Sequence, residues 1–305
     1  MSNHLEQLYE KIRKLKKERN AVILAHNYQV GEVQDIADFV GDSLGLSIEA
    51  QKTACSVIVF CGVHFMAETA KILSPEKTVI MPDPEAGCPM ANMIVPKDLI
   101  AMKEQYPNAK VICYINSSAE IKALSDYCCT SANALKMVET LPYEEYIFVP
   151  DRYLGSFVAA KTNKNMHVWK GFCPVHMKFT KDQIAQARKD HPGAKVMVHP
   201  ECSEDIVKLA DYALGTEGML KHAKNNIDET EYIIGTEEGF IHRLKKEVPG
   251  KKFHPLSTAC VCPNMKKTTV EKLLWSLEDM KTEITVPPDI AAKAKKCIDR
   301  MLEIK

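Results

Sequence analysis

Short apolar runs punctuate the chain, and amphipathic stretches lie between them. VILA from Val22, SVIVFCG from Ser56, VICY from Val111, YIFV from Tyr146, VMV from Val196 and YII from Tyr232 are each bounded by polar or turn residues. That pattern predicts buried strands. Leu5, Leu8, Ile12 and Leu15 recur at helical spacing amid charge, which predicts an amphipathic helix over residues 4–19. Residues 33–40 are also helical in pattern. Strand and helix keep alternating, which predicts parallel βαβ units.

The pattern repeats. VILAHNYQVGEVQDIADFVGDS (22–43), VICYINSSAEIKALSDYCCTS (111–131) and VMVHPECSEDIVKLADYALGT (196–216) share their spacings. His26, Tyr114 and His199 each lie twelve residues before an Asp, and each Asp lies five residues before Ser43, Ser131 or Thr216. Tyr28, Asn116 and Glu201 follow two residues after each strand tip. Downstream, each copy has a second apolar run, a helical stretch, a fourth strand (TVIMPD, MHVWKG, FHPLS) and a Cys-Pro pair. Those pairs are Cys88-Pro89, Cys173-Pro174 and Cys262-Pro263. A period of about 87 residues exceeds solenoid repeats, so it predicts three copies of a small domain.

After each Cys-Pro pair another helix is predicted, over 97–105, 181–189 and 270–280. The first two end at YPNAKV from Tyr106 and HPGAKV from His191, where Pro and Gly stop helices and the cycle restarts. The expected domains are 1–107 with the N-terminal helix, 108–193, and 194–305 with a final basic helix over 290–304. That last helix is expected to pack on the first module and close a ring. The predicted fold is α/β. Three repeated αβα-sandwich domains, each with a four-stranded parallel sheet, surround a pseudo-threefold axis with a central active site.

Charge narrows the partners. The 305 residues hold 40 acidic and 40 basic side chains, so nothing in the balance points to nucleic acid or an anionic membrane. No apolar run approaches the ~20 residues of a membrane helix. The N-terminal stretch is charged throughout and lacks the apolar core of a signal peptide. A cytoplasmic protein is expected. Of the 11 cysteines, most are expected to be buried small hydrophobes in a reducing compartment. No CxxC pair occurs, so zinc-finger spacing is absent.

In open parallel sheets, ligands bind beyond the carboxyl ends of the strands. His26, Tyr114 and His199 hold that position on the first strands, and Ser43, Ser131 and Thr216 on the second. Cys88, Cys173 and Cys262 lie beyond the fourth. Three modules facing one axis bring all nine into one cavity. Ser43, Ser131 and Thr216 read individually as helix N-caps, and together as three helix starts suited to carboxylate or phosphate. The three cysteines suit a tetrahedral metal with one open apex, either a [4Fe-4S] cluster or a zinc with a water. Cys260 competes with Cys262, and the shared Cys-Pro pairing favours Cys262. Glu201 is a proton-transfer candidate if burial raises its pKa toward neutrality. His199 stands beside it, His26 with Tyr28 forms a second donor set, and His176 is a substrate ligand or a supporting partner.

AHNYQ, DIADFVGDS, YINSSAEIKALSD, CTSANA, FCPVH, VHPEC, GTEEGFIHRL and CPNMKK together resemble the quinolinate synthase family, from about Ala21 to the C-terminus. The resemblance implies three αβα domains around a central cavity and a [4Fe-4S] cluster held by Cys88, Cys173 and Cys262, with one open iron. It implies condensation of iminosuccinate (iminoaspartate) with dihydroxyacetone phosphate to quinolinate, with loss of phosphate and water, in NAD biosynthesis. His26, Ser43, Tyr114, Asn116, Ser131, His199, Glu201 and Thr216 carry over as substrate ligands, with Tyr28 and His176 in matching motifs. Glu201 is the expected base, Tyr28 the acid for a later step, and His199 a third catalytic group. An L-aspartate-oxidising enzyme is the expected source of the imine. Some members hold the last cysteine in a CxxCxxC run, whereas this chain has CxC.

Three rivals share parts of this reading. A different open-iron [4Fe-4S] dehydratase or lyase acting on a hydroxy acid would need no triose phosphate. An iron–sulfur sensor would carry an effector surface, against which the balanced charge argues. A zinc lyase would differ in its metal.

Overall fold

A computed structural model describes residues 3–304. Met1, Ser2 and Lys305, at the outer limits of the first and third expected domains, lie outside the described residues. The first module holds strands β1 (Ala21–His26), β2 (Phe39–Gly41), β3 (Val57–Cys61) and β4 (Thr78–Ile80). The second holds β5 (Lys110–Tyr114), β6 (Tyr127–Cys129), β7 (Glu145–Val149) and β8 (Asn165–Val168). The third holds β9 (Lys195–Val198), β10 (Tyr212–Ala213), β11 (Glu231–Gly235) and β12 (Lys252–Pro255). Each sheet has four parallel strands in one order, β2-β1-β3-β4 and its two equivalents. β1 and β3 are buried along their whole length, because helices cover both faces of a parallel sheet.

The repeated aspartates are structural. Asp38, Asp126 and Asp211 each accept a hydrogen bond from a first-strand backbone N–H: Ile23 at 2.8 Å, Val111 at 2.9 Å and Val196 at 2.7 Å. Each aspartate's own N–H donates back to the carbonyl of that same residue. The carboxylate thus fixes where the second strand joins the first. It also sets the distance from strand tip to hydroxyl residue, which accounts for the constant spacing in the sequence.

The helices after the Cys-Pro pairs pass the chain round the ring. Pro96–Gln105 packs on Ala119–Leu124 of the second module, and Lys181–Asp190 on Glu204–Leu209 of the third. Val270–Asp279 packs back on Asn3–Glu18 and β3 of the first. Just beyond it, residues 281–284 add an antiparallel edge to β4, with Met81 N–H donating to Thr282 O at 2.9 Å.

That arrangement corrects the expectation for the last helix. Pro288–Glu303 sits mainly on Ala119–Leu124 and β6 of the second module, with a smaller contact to His64–Leu73 of the first. Its apolar face is Ala294, Cys297, Ile298 and Met301. The ring is closed one helix earlier, by Val270–Asp279, whose buried stripe of Val270, Leu273, Leu274 and Leu277 meets Leu8 and Ile12. No helix among the described residues is long and apolar enough to cross a membrane.

Candidate active site

The three sheets aim their carboxyl ends at one cavity of about 280 Å³. His26, Tyr114 and His199 enter it from the first strands, and Ser43, Ser131 and Thr216 from beyond the second. Cys88, Cys173 and Cys262 line it from beyond the fourth, and Tyr28, Asn116, His176 and Glu201 complete the set. All thirteen of these residues therefore line the same space. Cys260 does not; it is fully buried in the third module's core with Val175 and Phe179.

The three cavity cysteines share one local design. Each opens a Cys-Pro turn that leads into a short 3₁₀ helix, Ala91–Met93, His176–Lys178 or Met265–Lys267. Each sulfur accepts backbone N–H bonds from the residues two and three positions on: Met90 and Ala91, Val175 and His176, Asn264 and Met265. Proline takes the position between, where no N–H is needed. Burial pushes the thiols up, Cys88 to about 12, while these N–H donors pull down. A convergent set of sulfurs with two amide donors each fits thiolates held by a bound cation.

Glu201 is the centre of the polar side. Its Oε1 accepts from Tyr114 Oη at 2.5 Å, and its Oε2 lies 2.9 Å from His176 Nδ1, a contact short of hydrogen-bond geometry. Burial raises its pKa, but the imidazoles of His199 and His176 and the Tyr114 hydroxyl outweigh it and hold the carboxyl low, at about 2. The expectation of a pKa near neutrality therefore reverses. Glu201 is a carboxylate at neutral pH because His199 of its own module and His176 and Tyr114 of the second outweigh its burial.

His26 and His199 are neutral. Burial lowers His26 to about 3 and His199 to about 4. Glu201 N–H donates to His199 Nδ1 at 3.2 Å, so the ring proton falls on Nε2, 3.2 Å from Ser131 Oγ. Tyr28 N–H caps His26 Nδ1 in the same way at 3.2 Å. Tyr28 keeps its proton, since burial and the Glu201 charge hold its pKa well above the ordinary value.

The hydroxyl residues are not the caps that the sequence suggested. Asp42 caps Ser43–Lys52, accepting from Gly45 N–H at 2.8 Å, and Ser43 is the first residue of that helix. Thr216 likewise opens Thr216–Asn225 after Gly215. Ser131 precedes the helix Ala134–Thr140 by three residues. Their hydroxyls are consequently not committed to capping. Asn116 Oδ1 is buried without a hydrogen-bond partner among the described residues and lies at the cavity wall, suited to a ligand donor.

The chain matches the family profile described as quinolinate synthetase A protein over residues 10–303. It belongs to the quinolinate synthetase A family. It is 54% identical over 301 residues to a quinolinate synthase of Dehalococcoides mccartyi, covering 99% of each chain. It is 52% identical over 295 residues to quinolinate synthase 2 of Methanosarcina acetivorans, covering 97% of this chain and 95% of that one. It is 51% identical over 299 residues to a quinolinate synthase of Geobacter metallireducens, covering 98% of each.

In this family member the site includes three residues that sequence reasoning did not single out. Thr236 Oγ1 joins Tyr28 Oη at 2.7 Å to His176 Nε2 at 2.9 Å. Glu237 is fully buried at the cavity wall, pairs with Lys266 at 2.9 Å and accepts from Cys262 N–H at 3.0 Å. Asn27 donates to Thr216 Oγ1 at 2.8 Å and is itself held by Arg243 at 2.8 Å. Thr236 and Glu237 follow the third strand of their module, and the repeat had drawn attention only to the first, second and fourth. The quoted motif GTEEGFIHRL contained both, together with Arg243.

Proposed function

We propose that the chain condenses iminosuccinate with dihydroxyacetone phosphate to form quinolinate, releasing phosphate and water, as a step of NAD biosynthesis. The observation that carries this reading is the convergence of all thirteen candidate residues on one cavity in a member of this family. The imine is the product of an amino-acid oxidation, so an L-aspartate-oxidising enzyme is its source.

Cys88, Cys173 and Cys262 are the residues that would hold a [4Fe-4S] cluster, and the paired amide donors at each sulfur support that fit. When bound, such a cluster supplies an open iron that acts as a Lewis acid on a substrate oxygen. The chain's own groups bind, orient and move protons. The substrates carry two carboxylates and a phosphate. The helix starts at Ser43 and Thr216, the Ser131 hydroxyl, the Asn116 amide and the neutral imidazoles of His26 and His199 supply donors for them.

Glu201 is the base in this account. The imidazoles of His199 and His176 and the Tyr114 hydroxyl keep it ionised in the free protein. A substrate that takes over the Tyr114 hydrogen bond removes one of these stabilising groups, so the carboxylate becomes a stronger base on binding. Tyr28, protonated and oriented by Thr236, is the acid for a later elimination.

The test is an anaerobic incubation of the purified chain with both substrates, with quinolinate and phosphate measured together. Equal release of the two is expected. Phosphate without quinolinate, or neither product from a chain containing about four iron atoms, would contradict the assignment.

A further inference from the structure

Away from the cavity, three other cysteines meet. Cys113 on β5, Cys128 on β6 and Cys297 on Pro288–Glu303 hold their sulfurs within 4.8 Å of one another, and all three are buried. Cys113 and Cys128 are register partners in the second sheet. Cys297 comes down from the helix seated on that sheet, and its sulfur is 3.8 Å from that of Cys113. A zinc–thiolate bond of about 2.3 Å sets the sulfurs of one tetrahedral centre about 3.8 Å apart. The pair already stands at ligand separation.

A charge beside the cluster is otherwise unanswered. Lys122 is fully buried, donates to Ser117 O at 2.6 Å and lies 5.3 Å from the Phe65 ring centroid, and it makes no ion pair among the described residues. A buried ammonium without a counter-charge is costly. Lys122 is within electrostatic reach of both Cys113 and Cys297. Three thiolates around one divalent cation leave a single negative charge, which Lys122 cancels. An all-sulfur donor set in apolar surroundings selects a soft cation.

We infer that Cys113, Cys128 and Cys297 form a metal centre separate from the cavity, which takes one thiophilic divalent cation of the zinc class. The centre ties the last helix to β5, whose final residue, Tyr114, holds Glu201.

The test uses the full-length protein, purified without oxygen, incubated with zinc sulfate and dialysed, with zinc and iron counted by elemental analysis. About one zinc per chain is expected in the wild type and in Cys262→Ser, which removes a cavity cysteine. Loss of that zinc with iron unchanged is expected in Cys297→Ser and in Cys128→Ser. X-ray absorption at the zinc edge of the wild type reads the donors without any substitution, and sulfur scatterers at about 2.3 Å are expected. A wild type that retains no zinc, zinc that survives in both cluster variants, zinc lost in Cys262→Ser, or a shell of nitrogen and oxygen alone overturns the inference.

Discussion

Tyr114 Oη donates to Glu201 Oε1 at 2.5 Å, and the two residues belong to different modules. Tyr114 ends β5 of the second, and Glu201 follows β9 of the third. The bond ties the ionisation of the central carboxylate to the packing of one module on the next. Glu201→Gln is therefore expected to keep its iron and lose about 10²-fold or more in turnover. Near-normal quinolinate formation by this variant would remove Glu201 from the role of base.

Tyr114→Phe takes away one of the groups that hold Glu201 low. The acid limb of its kcat/KM profile is expected to move to higher pH than in the wild type. An unmoved limb would show that this hydrogen bond does not set the titration of the site.

Stability should fall with acid in two stages. His26 and His199 are neutral in the fold, at about 3 and about 4, against about 6.5 in an unfolded chain. Between those limits the unfolded state binds more protons, so stability rises with pH. The loss therefore begins below about pH 6.5, and together the two imidazoles amount to a few kcal/mol, on the order of one kcal/mol or more each. Glu201, lowered to about 2, adds stability that is present above about 4.3 and is lost as pH falls toward its folded value. Urea midpoints measured from pH 7 to pH 4 should decline, and His199→Gln should flatten the slope. Midpoints constant over that range would contradict the buried, neutral state of these rings.

The contact between Gly215 and Ser131 gives a test that spares the catalytic groups. A methyl added at Gly215 meets Ser131 Oγ at 2.6 Å, and that hydroxyl is the partner of His199. Gly215→Ala should turn the serine away from the imidazole, raise KM several-fold and change stability by only about 1 kcal/mol. Unchanged substrate affinity would mean that Ser131 has room to move without consequence.

Much of this was legible because the chain states its plan three times. The recurring tip, aspartate, hydroxyl and Cys-Pro positions identified the modules and the residues that converge, since equivalent positions on equivalent sheets face one axis. What was not legible depended on contacts between modules. Burial alone pointed to a raised Glu201 pKa; the low value comes from His199, two residues away, together with His176 and Tyr114, which no local pattern connects to it. The final helix and Val270–Asp279 are both amphipathic, and the pattern could not say which would meet Asn3–Glu18. Asp42 displaced Ser43 as the cap because it lies one residue earlier, with its carboxylate in reach of Gly45 N–H.

Thr236 is the bridge the repeat did not reveal. Its hydroxyl stands between Tyr28 and His176, so Thr236→Val should free both. Turnover is expected to fall about 10-fold, within the range for a positioned acid or base, with iron content and KM little changed. A fall in iron instead would make Thr236 part of the cysteine scaffold.

The central claim is that one cysteine from each module meets at one cavity to hold the reactive centre. Iron content and quinolinate formation, measured together in Cys88→Ser, Cys173→Ser, Cys262→Ser and Cys260→Ser prepared without oxygen, test it most directly. The first three are expected to lose quinolinate formation and most of their iron, and Cys260→Ser to retain both. Loss confined to Cys260→Ser, or full iron in any of the first three, would contradict the account.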